Sequence, residues 1–488
     1  MIKTKHIYII LAMVFIASCS DDFVDVDPPF ANSADYFNSE EDYQNALIGA
    51  YDLLQTTYIN VMIGEIASDN TLSGGESATD VIGIQEIDEM QHNPVNQQLR
   101  DIWGWMFSGV NRANYIMQYE DKTPFPGKEN VIAQTRFLRA YYYFELVKFF
   151  GDVPLVRDRV VEFGDERDIP KAPKEDVYAL IEEDLIYAAN NLPLQQSETG
   201  RATKGAAQAL LGKAYLYQEK YAEAADVLQE VINSGQYALL EDYSTMFENN
   251  NENNIESVFE VQYTDEEGAG FGCLQCSEGN IAVGFNGIRN YSGPVFGSGF
   301  SFNVPTQDVV DAFEDGDTRL ETAILDIEAW AEETGATYAI GYKHTGYYNR
   351  KYIARQGDAD IGDANLTNPN NYRAIRYADV LLMAAEALAS PEVGNDSQAL
   401  IYLNQVRERA FGSTANNLSV GGIGLRNAIQ QERRVELVGE GHRFFDLVRT
   451  GEAANAIDGF QTGKNEVFPI PLIEIELAGN QWEQNPGY

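Results

Sequence analysis

Residues 205–235 read GAAQALLGKAYLYQEKYAEAADVLQEVINSG, and the spacing inside this stretch decides the fold class. Leu211, Gly212 and Tyr215 share one face of a first helix, and Ala224 and Leu228 lie on the facing side of a second. Tyr221 marks the turn between them. The small residues at 212 and 224 let the two helices approach closely.

This is the spacing of the tetratricopeptide repeat, with Leu228 for its Phe and Gln208 and Gln236 at its Trp and Pro positions. Working outward, 376–410 repeats it more loosely through Ala384, Ala385, Ala399, Leu403 and Val406. Residues 131–150, rich in rings at Tyr141–Phe144, pair with 174–192, bounded by Pro173 and Pro193. A further pair begins at 39–54, where Ser39 and Asp42 suit a capping box and Tyr43, Leu47, Ala50, Tyr51 and Leu54 make one stripe. Its partner carries Trp103, Phe107, Val110, Asn114 and Met117, with Trp103 expected in the core. The expected fold is mainly α: four tetratricopeptide-like hairpins forming a right-handed helical scaffold, two of them interrupted by insertions. Such a scaffold offers shape rather than chemistry.

Two segments fall outside the helical pattern. Residues 56–98 lose periodicity and collect Asp69, Asn70, Ser73-Gly74-Gly75 and Glu76; a connection this long points to function. Residues 237–375 form an irregular loop-rich insertion with a few short strands, one of them at 257–263. Within it, 268–302 mixes glycines with Phe271, Phe285, Tyr291, Phe296, Phe300 and Phe302. Aromatic faces suit the apolar face of a sugar, though each ring can equally serve a satellite core beneath the insertion. Trp330 sits in an acidic helix with Glu328, Glu332 and Glu333 and is expected at the surface. The candidate glycan-binding set is Asp69, Asn70, Arg289, Tyr291, Phe296, Phe300 and Trp330. Arg289 and Asn70 would orient hydroxyls, and the rings would stack. Cys273-x-x-Cys276 lacks a second half for zinc, which leaves a local disulfide or two free thiols. Asp358-x-Asp360-x-x-Asp363-x-Asn365 offers oxygens without the spacing of a calcium-binding EF-hand, so neither a metal nor a cofactor is expected.

The formal charge is −41, which excludes nucleic acid as a partner and favours neutral ligands. Against that excess, Glu432–Gly451, ERRVELVGEGHRFFDLVRTG, sets Arg433, Arg434, Arg443 and Arg449 beside Glu432, Glu436, Glu440 and Asp446. Arginine holds a carboxylate bidentately, so the stretch reads as two short helices around Gly439-Glu440-Gly441, an ion-paired corner that clamps the fold. A Glu440–His442 acid–base pair is the competing catalytic reading. The pattern ER-x-x-EL-x-x-EG-x-R-x-x-DL-x-R-x-G resembles the SusD/RagB family of surface glycan-binding lipoproteins of Bacteroidetes. So do RFLRAYYYFELVKFFGDVPL (136–155), FPIP (468–471), Glu474 and the final QNPGY (484–488). The resemblance spans nearly the whole mature chain. It implies a non-catalytic receptor that captures an oligo- or polysaccharide, delivers it to a SusC-like TonB-dependent transporter and closes over the barrel as a lid. The acidity hints at a saline habitat and an algal polysaccharide.

Residues 1–18 read as a signal peptide: Lys3 and Lys5 precede an apolar run, Ile7–Ile16, too short to span a bilayer. Ile16-Ala17-Ser18-Cys19 resembles a bacterial lipobox, which makes Cys19 the acylated first residue of the mature chain. Ser20-Asp21-Asp22 looks like the tag that sends such lipoproteins to the outer surface. Residues 19–34 are then a lipidated flexible tether, and 35–488 the SusD-like domain on the extracellular face of the outer membrane. The sequence contains no Walker loop, G-x-G-x-x-G, H-E-x-x-H or G-x-S-x-G. The alternatives are a surface glycoside hydrolase and a peptide-binding tetratricopeptide scaffold. The resemblance argues against the first, and the long aromatic insertion against the second.

Overall fold

The computed structural model describes residues 36–358, 363 and 365–488. The leader, Cys19, the tether and Asp360 lie outside the described residues. The protein is mainly helical, about half helix with 7% strand. The first helix, α1 (Glu40–Asp52), opens on the expected capping box: Ser39 Oγ accepts from Asp42 N at 3.3 Å, and Ser39 N donates to the Asp42 carboxylate at 3.0 Å. Next comes α2 (Tyr58–Ile66), within the stretch expected to be loop. Its sequence YINVMIGEI is buried at eight of nine positions, so it has no polar face and no helical period to read.

Then follow α3 (Gln97–Gln118), α4 (Lys128–Phe150), α5 (Lys174–Asn191), α6 (Lys204–Leu216), α7 (Tyr221–Asn233), α8 (Tyr377–Leu388) and α9 (Asp396–Phe411). α3 packs on α1 and α4, and from there each helix packs on the next through α9. The four expected pairs are thus α1/α3, α4/α5, α6/α7 and α8/α9. At the third, a Cβ on Gly212 would come within 2.4 Å of the Leu228 side chain, which is the close approach the small residue permits. Trp103 is core, with its ring 4.9 Å from Phe107 and 5.1 Å from Phe150.

The insertion leaves after α7 and is closed at its base by a two-stranded antiparallel sheet. Strand β1 (Ser257–Val261) pairs with a later strand, Tyr372–Arg376, placing Val261 opposite Tyr372 and Phe259 opposite Ile375. Farther out, β2 (Ile324–Asp326) pairs with β3 (Tyr347–Asn349). The closing strand is β4 (Tyr372–Arg376), and it runs directly into α8. The insertion has its own core around Ile288, Tyr291, Phe296, Leu325, Ile327 and Tyr348. A third small core joins Val309, Phe313 and Ile324 to Val435 and Val438.

The acidic–basic stretch forms α10 (Gly422–Glu436) and α11 (Arg443–Arg449), as expected, around a turn in which Gly439 and Gly441 have φ of +81° and +84°. The turn presses on α2, where a Cβ on Gly64 would lie 2.3 Å from the Gly441 carbonyl oxygen. The charges are paired, but mostly not with one another. Within the stretch, Asp446 takes Arg433 at 2.9 Å and Arg449 at 2.7 Å. Glu436 instead reaches Arg376 at 2.9 Å, Arg319 at 2.8 Å and Arg409 at 2.6 Å. Burial opposes its ionisation, yet those three guanidinium groups hold its carboxyl well below the usual range. Glu440 is held by Arg376 at 2.8 Å and Lys351 at 2.6 Å, whereas His442 faces Lys213 at 3.3 Å. Burial brings the His442 imidazole down to about 3, so it is neutral at physiological pH. Both side chains are buried, and the acid–base reading gives way to the clamp.

Candidate functional site

The clamp fixes where the first long loop begins. Arg443 holds the Asp69 carboxylate bidentately at 2.7 and 2.8 Å. Arg434 stands 3.1 Å from the same carboxylate and donates to Asn70 Oδ1 at 2.8 Å. Thr71 and Leu72 then pair antiparallel with Pro305 and Val304, which ties this loop to the insertion. Asp69 and Asn70 are therefore corrected from ligand contacts to anchors: the Asp69 carboxylate and Asn70 Oδ1 face the clamp, and Asn70 is fully buried.

Beyond the anchor, three loops converge. Gly75 N donates to Ser301 O at 2.7 Å, and Tyr342 N donates to Gly75 O at 2.9 Å. The approach needs glycine: a Cβ on Gly74 would sit 2.1 Å from the Ser301 carbonyl oxygen, and Gly75 has φ +97°. Arg289 lies at the junction. Its Nη2 donates to Phe300 O at 2.8 Å and its Nε to Ser301 Oγ at 3.3 Å, with Asp80 at 3.5 Å and Glu76 at 3.9 Å. The loop tips are strained. Val81 and Val295, both β-branched and both exposed, have φ of +47° and +71°, and Asn290, Ser301 and Lys343 are also left-handed. Such conformations are costly for β-branched residues and gather at functional surfaces.

The rings divide into two sets. In the first, a ladder climbs from the helical core to the surface: Tyr58 to Phe285 at 6.2 Å, Phe285 to Phe300 at 6.0 Å, and Phe300 to Phe271 at 5.8 Å. Phe300 is half-buried, and Phe271 at the top is 62% exposed. In the second, Trp330 Nε1 donates to the Tyr291 hydroxyl at 2.9 Å, which donates to Pro294 O at 2.7 Å. Phe296 packs 5.4 Å from Trp330. Tyr291 and Phe296 are buried in the insertion core, so their reading as stacking platforms is corrected: the satellite core claims them. Trp330, at the edge of that core, stays half-buried.

Of the seven residues chosen from sequence, Arg289, Phe300 and Trp330 thus keep part of their side chains open without being held by the clamp. It adds Asp80 and Tyr342, which the sequence reading did not single out, and Phe271, named as a ring but left out of the set. Near Tyr342, His344 lies 5.7 Å from the Tyr338 ring, and burial holds its imidazole below the usual range. The Cys273–Cys276 alternative resolves to a disulfide, which closes the loop just after Phe271. The surface offers one loosely paired guanidinium, two nearby carboxylates and graded ring exposure, a set that recognises hydroxyls and C–H faces. Among the described residues, no group of three or more His, Cys, Asp or Glu is arranged to hold a metal ion. No helix among them is long and apolar enough to cross a membrane.

The helical array with its loop-rich insertion is the fold of a glycan-binding family, as comparisons with known proteins show. The model of the SusD family matches residues 248–488, and a model described as starch-binding associating with outer membrane matches residues 22–216. SusD-like protein P2 of Formosa agariphila is 28% identical over 535 aligned positions, covering 100% of both chains. A solved laminarin binding SusD-like protein is 36% identical, with a TM-score of 0.84 over 93% of this chain and 100% of that one. The surface glycan-binding protein A from Bacteroides thetaiotaomicron, solved in complex with laminarihexaose, is 27% identical, with a TM-score of 0.81 over 91% and 99%. The chain belongs to the SusD/RagB family.

Proposed function

We propose that this chain is a non-catalytic cell-surface receptor that captures a neutral glucan of the laminarin type and delivers it to a SusC-like TonB-dependent outer-membrane transporter. The observation that carries this reading is the convergence of three loops on Arg289, with Phe300 half-open beside it and Phe271 mostly exposed above. The guanidinium donates to hydroxyl oxygens, Asp80 and Glu76 accept from hydroxyls, and the rings cover the apolar face of the sugar. Two similar proteins named for laminarin or laminarihexaose support the choice of ligand. The net charge of −41 works against sulfated or uronic chains. Acylation at Cys19 would anchor the protein to the outer face of the membrane, with residues 19–34 as the tether that lets it swing over the transporter.

Calorimetric titration with laminarihexaose, beside a panel of other neutral oligosaccharides and one anionic one, tests the proposal. Saturable binding to laminarihexaose with the oligosaccharide recovered intact is expected. Failure to bind any glycan, or recovery of shortened products, overturns the receptor reading. In cells lacking the transporter, Cys19→Ala should move the protein out of the membrane fraction, and its retention there would refute the lipid anchor.

A further inference from the structure

A second cleft, lined by none of the loop-surface residues, lies between α3, the segment 154–169 and the C-terminal segment. It encloses about 230 Å³. Trp103 and Phe107 of α3 form one wall, Trp482 another, and Val156, Val161 and Ile169 line the remainder. The Trp103 and Trp482 rings lie 6.1 Å apart at 46° to each other, and Phe107 is 4.9 Å from Trp103.

The neutral polar groups on these walls already have partners. Asn111 donates to Val161 O at 3.1 Å and accepts from Val161 N at 2.7 Å. Ser108 Oγ donates to Gly104 O at 2.8 Å, and Trp482 Nε1 donates to Ile169 O at 2.8 Å. The Tyr143 hydroxyl donates to Val156 O at 2.9 Å and accepts from Val156 N at 2.8 Å. Two carboxylates remain, Glu166, which accepts from Gly164 N at 2.7 Å, and Glu474, and neither is in a salt bridge among the described residues. Burial raises the Glu474 carboxyl, Arg100 opposes that rise and the negative charge of Glu166 reinforces it.

This chemistry selects its ligand. An anion is repelled by both carboxylates. A sugar finds only the second Asn111 amide N–H free to donate to its oxygens. A positive charge on an apolar stem satisfies everything the cleft offers, because indole faces attract cations and the carboxylates supply the counter-charge. We infer that the cleft binds an organic ammonium, a primary amine on an aliphatic stem, with the stem against the cleft-facing edges of Trp103, Phe107 and Trp482 and the –NH₃⁺ at Glu474 and Glu166.

The test uses the full chain and three isosteric probes, n-hexylammonium, n-hexanol and hexanoate, followed by intrinsic tryptophan fluorescence. Hexylammonium should bind saturably and roughly ten-fold more tightly than hexanol, and hexanoate should not bind. Glu474→Gln should reduce hexylammonium to the level of hexanol, and Glu166→Gln should weaken it several-fold. Trp482→Phe keeps a ring in place while removing much of the optical response, which assigns the signal to this cleft. Saturating laminarihexaose should leave the titration unchanged. Equal affinity for hexanol and hexylammonium, no saturable response to any probe, unaltered affinity in both glutamine variants, or displacement by the oligosaccharide would each overturn the inference.

Discussion

Arg376 and Arg289 carry the same guanidinium into opposite surroundings, and the contrast separates the scaffold from the surface it supports. Arg376 has no exposed side-chain area and lies 2.8, 2.9 and 2.8 Å from Glu256, Glu436 and Glu440. Arg289 keeps 17% of its side chain exposed, with its two nearest carboxylates at 3.5 and 3.9 Å. A fully paired buried charge has nothing left for a ligand and cannot lose a partner cheaply. A loosely paired charge in contact with water can exchange a carboxylate for a hydroxyl at little cost. The rings divide the same way, Tyr291 and Phe296 inside, Phe300 and Phe271 toward solvent.

The largest effect should come from breaking the buried side. Arg376→Ala takes one partner from three buried carboxylates, which keep only Arg319, Arg409 and Lys351 among them, and should destabilise by ~3–5 kcal/mol in chemical denaturation. Arg443→Ala should cost less, about 2 kcal/mol, because the Arg443–Asp69 pair keeps some exposure and Asp69 retains Arg434 at 3.1 Å. Glycan affinity of the folded Arg443→Ala protein should match wild type. A stable variant that loses the glycan would instead make the clamp part of the site.

The clamp also sets a pH response. Burial pushes Glu65 up to about 7, against the Gly441 and Gly439 N–H groups and Lys351. Its folded value lies above the ordinary 4.5, so its contribution is present below pH 4.5 and is lost as the pH rises to 7, about 3 kcal/mol in all. His442 works the other way: its folded value of about 3 lies below 6.5, so the unfolded chain takes the proton first and stability falls as the pH drops below 6.5. Between pH 5 and 6.5 the two slopes oppose, and the wild-type melting temperature should change little. Glu65→Gln should uncover the His442 slope and melt lower at pH 5 than at pH 6.5, whereas His442→Gln should melt higher at pH 5. Parallel wild-type and variant profiles would show that neither group titrates in this window.

Much of the scaffold was legible because amphipathic helices advertise their buried faces. The Ser39 capping box and the Gly439–Gly441 turn lie within one or two turns of chain, and the α6/α7 hairpin joins helices adjacent in sequence. What failed to read was long-range. α2 hides because it is buried on nearly every side, so no polar face marks its period. The arginines of the C-terminal stretch were rightly seen as paired, yet their partners include Glu386, Asp379, Asp308 and Asp69, which spacing within the stretch cannot reveal. Asp69 and Asn70 looked like ligand groups for the same reason: a polar pair in a long loop reads alike whether it meets a sugar or an arginine. Tyr291 and Phe296 could not be told from Phe300, since alternation in a glycine-rich loop does not say which rings the insertion will cover.

The open side should respond in affinity rather than in stability. Phe300→Ala removes a half-buried ring one rung below the top of the ladder and should weaken glucan binding by ~1–3 kcal/mol, by analogy with aromatic stacking on bases. Calorimetry beside thermal melts checks it. A large loss of stability with affinity intact would move Phe300 to the core side of the comparison.

Phe271 gives the smallest and sharpest test, because almost nothing but a ligand depends on it. Its ring is the most exposed in the insertion at 62%, and its one aromatic neighbour is Phe300 at 5.8 Å. Residues around it are rich in glycine, and the Cys273–Cys276 bridge restrains the chain only two residues beyond. An exposed side chain in such a loop adds little to folding, so Phe271→Ala should change stability by no more than about 0.5 kcal/mol. If the ring extends the platform begun by Phe300, it contributes area to a longer glucan but not to a short one. The loss should therefore be about 1 kcal/mol for laminarihexaose and close to nothing for the disaccharide. An equal loss for both lengths would place Phe271 at the centre of the site and Arg289 at its edge. No loss for either would leave the ring outside the site and confine the glucan to Arg289, Phe300 and Trp330.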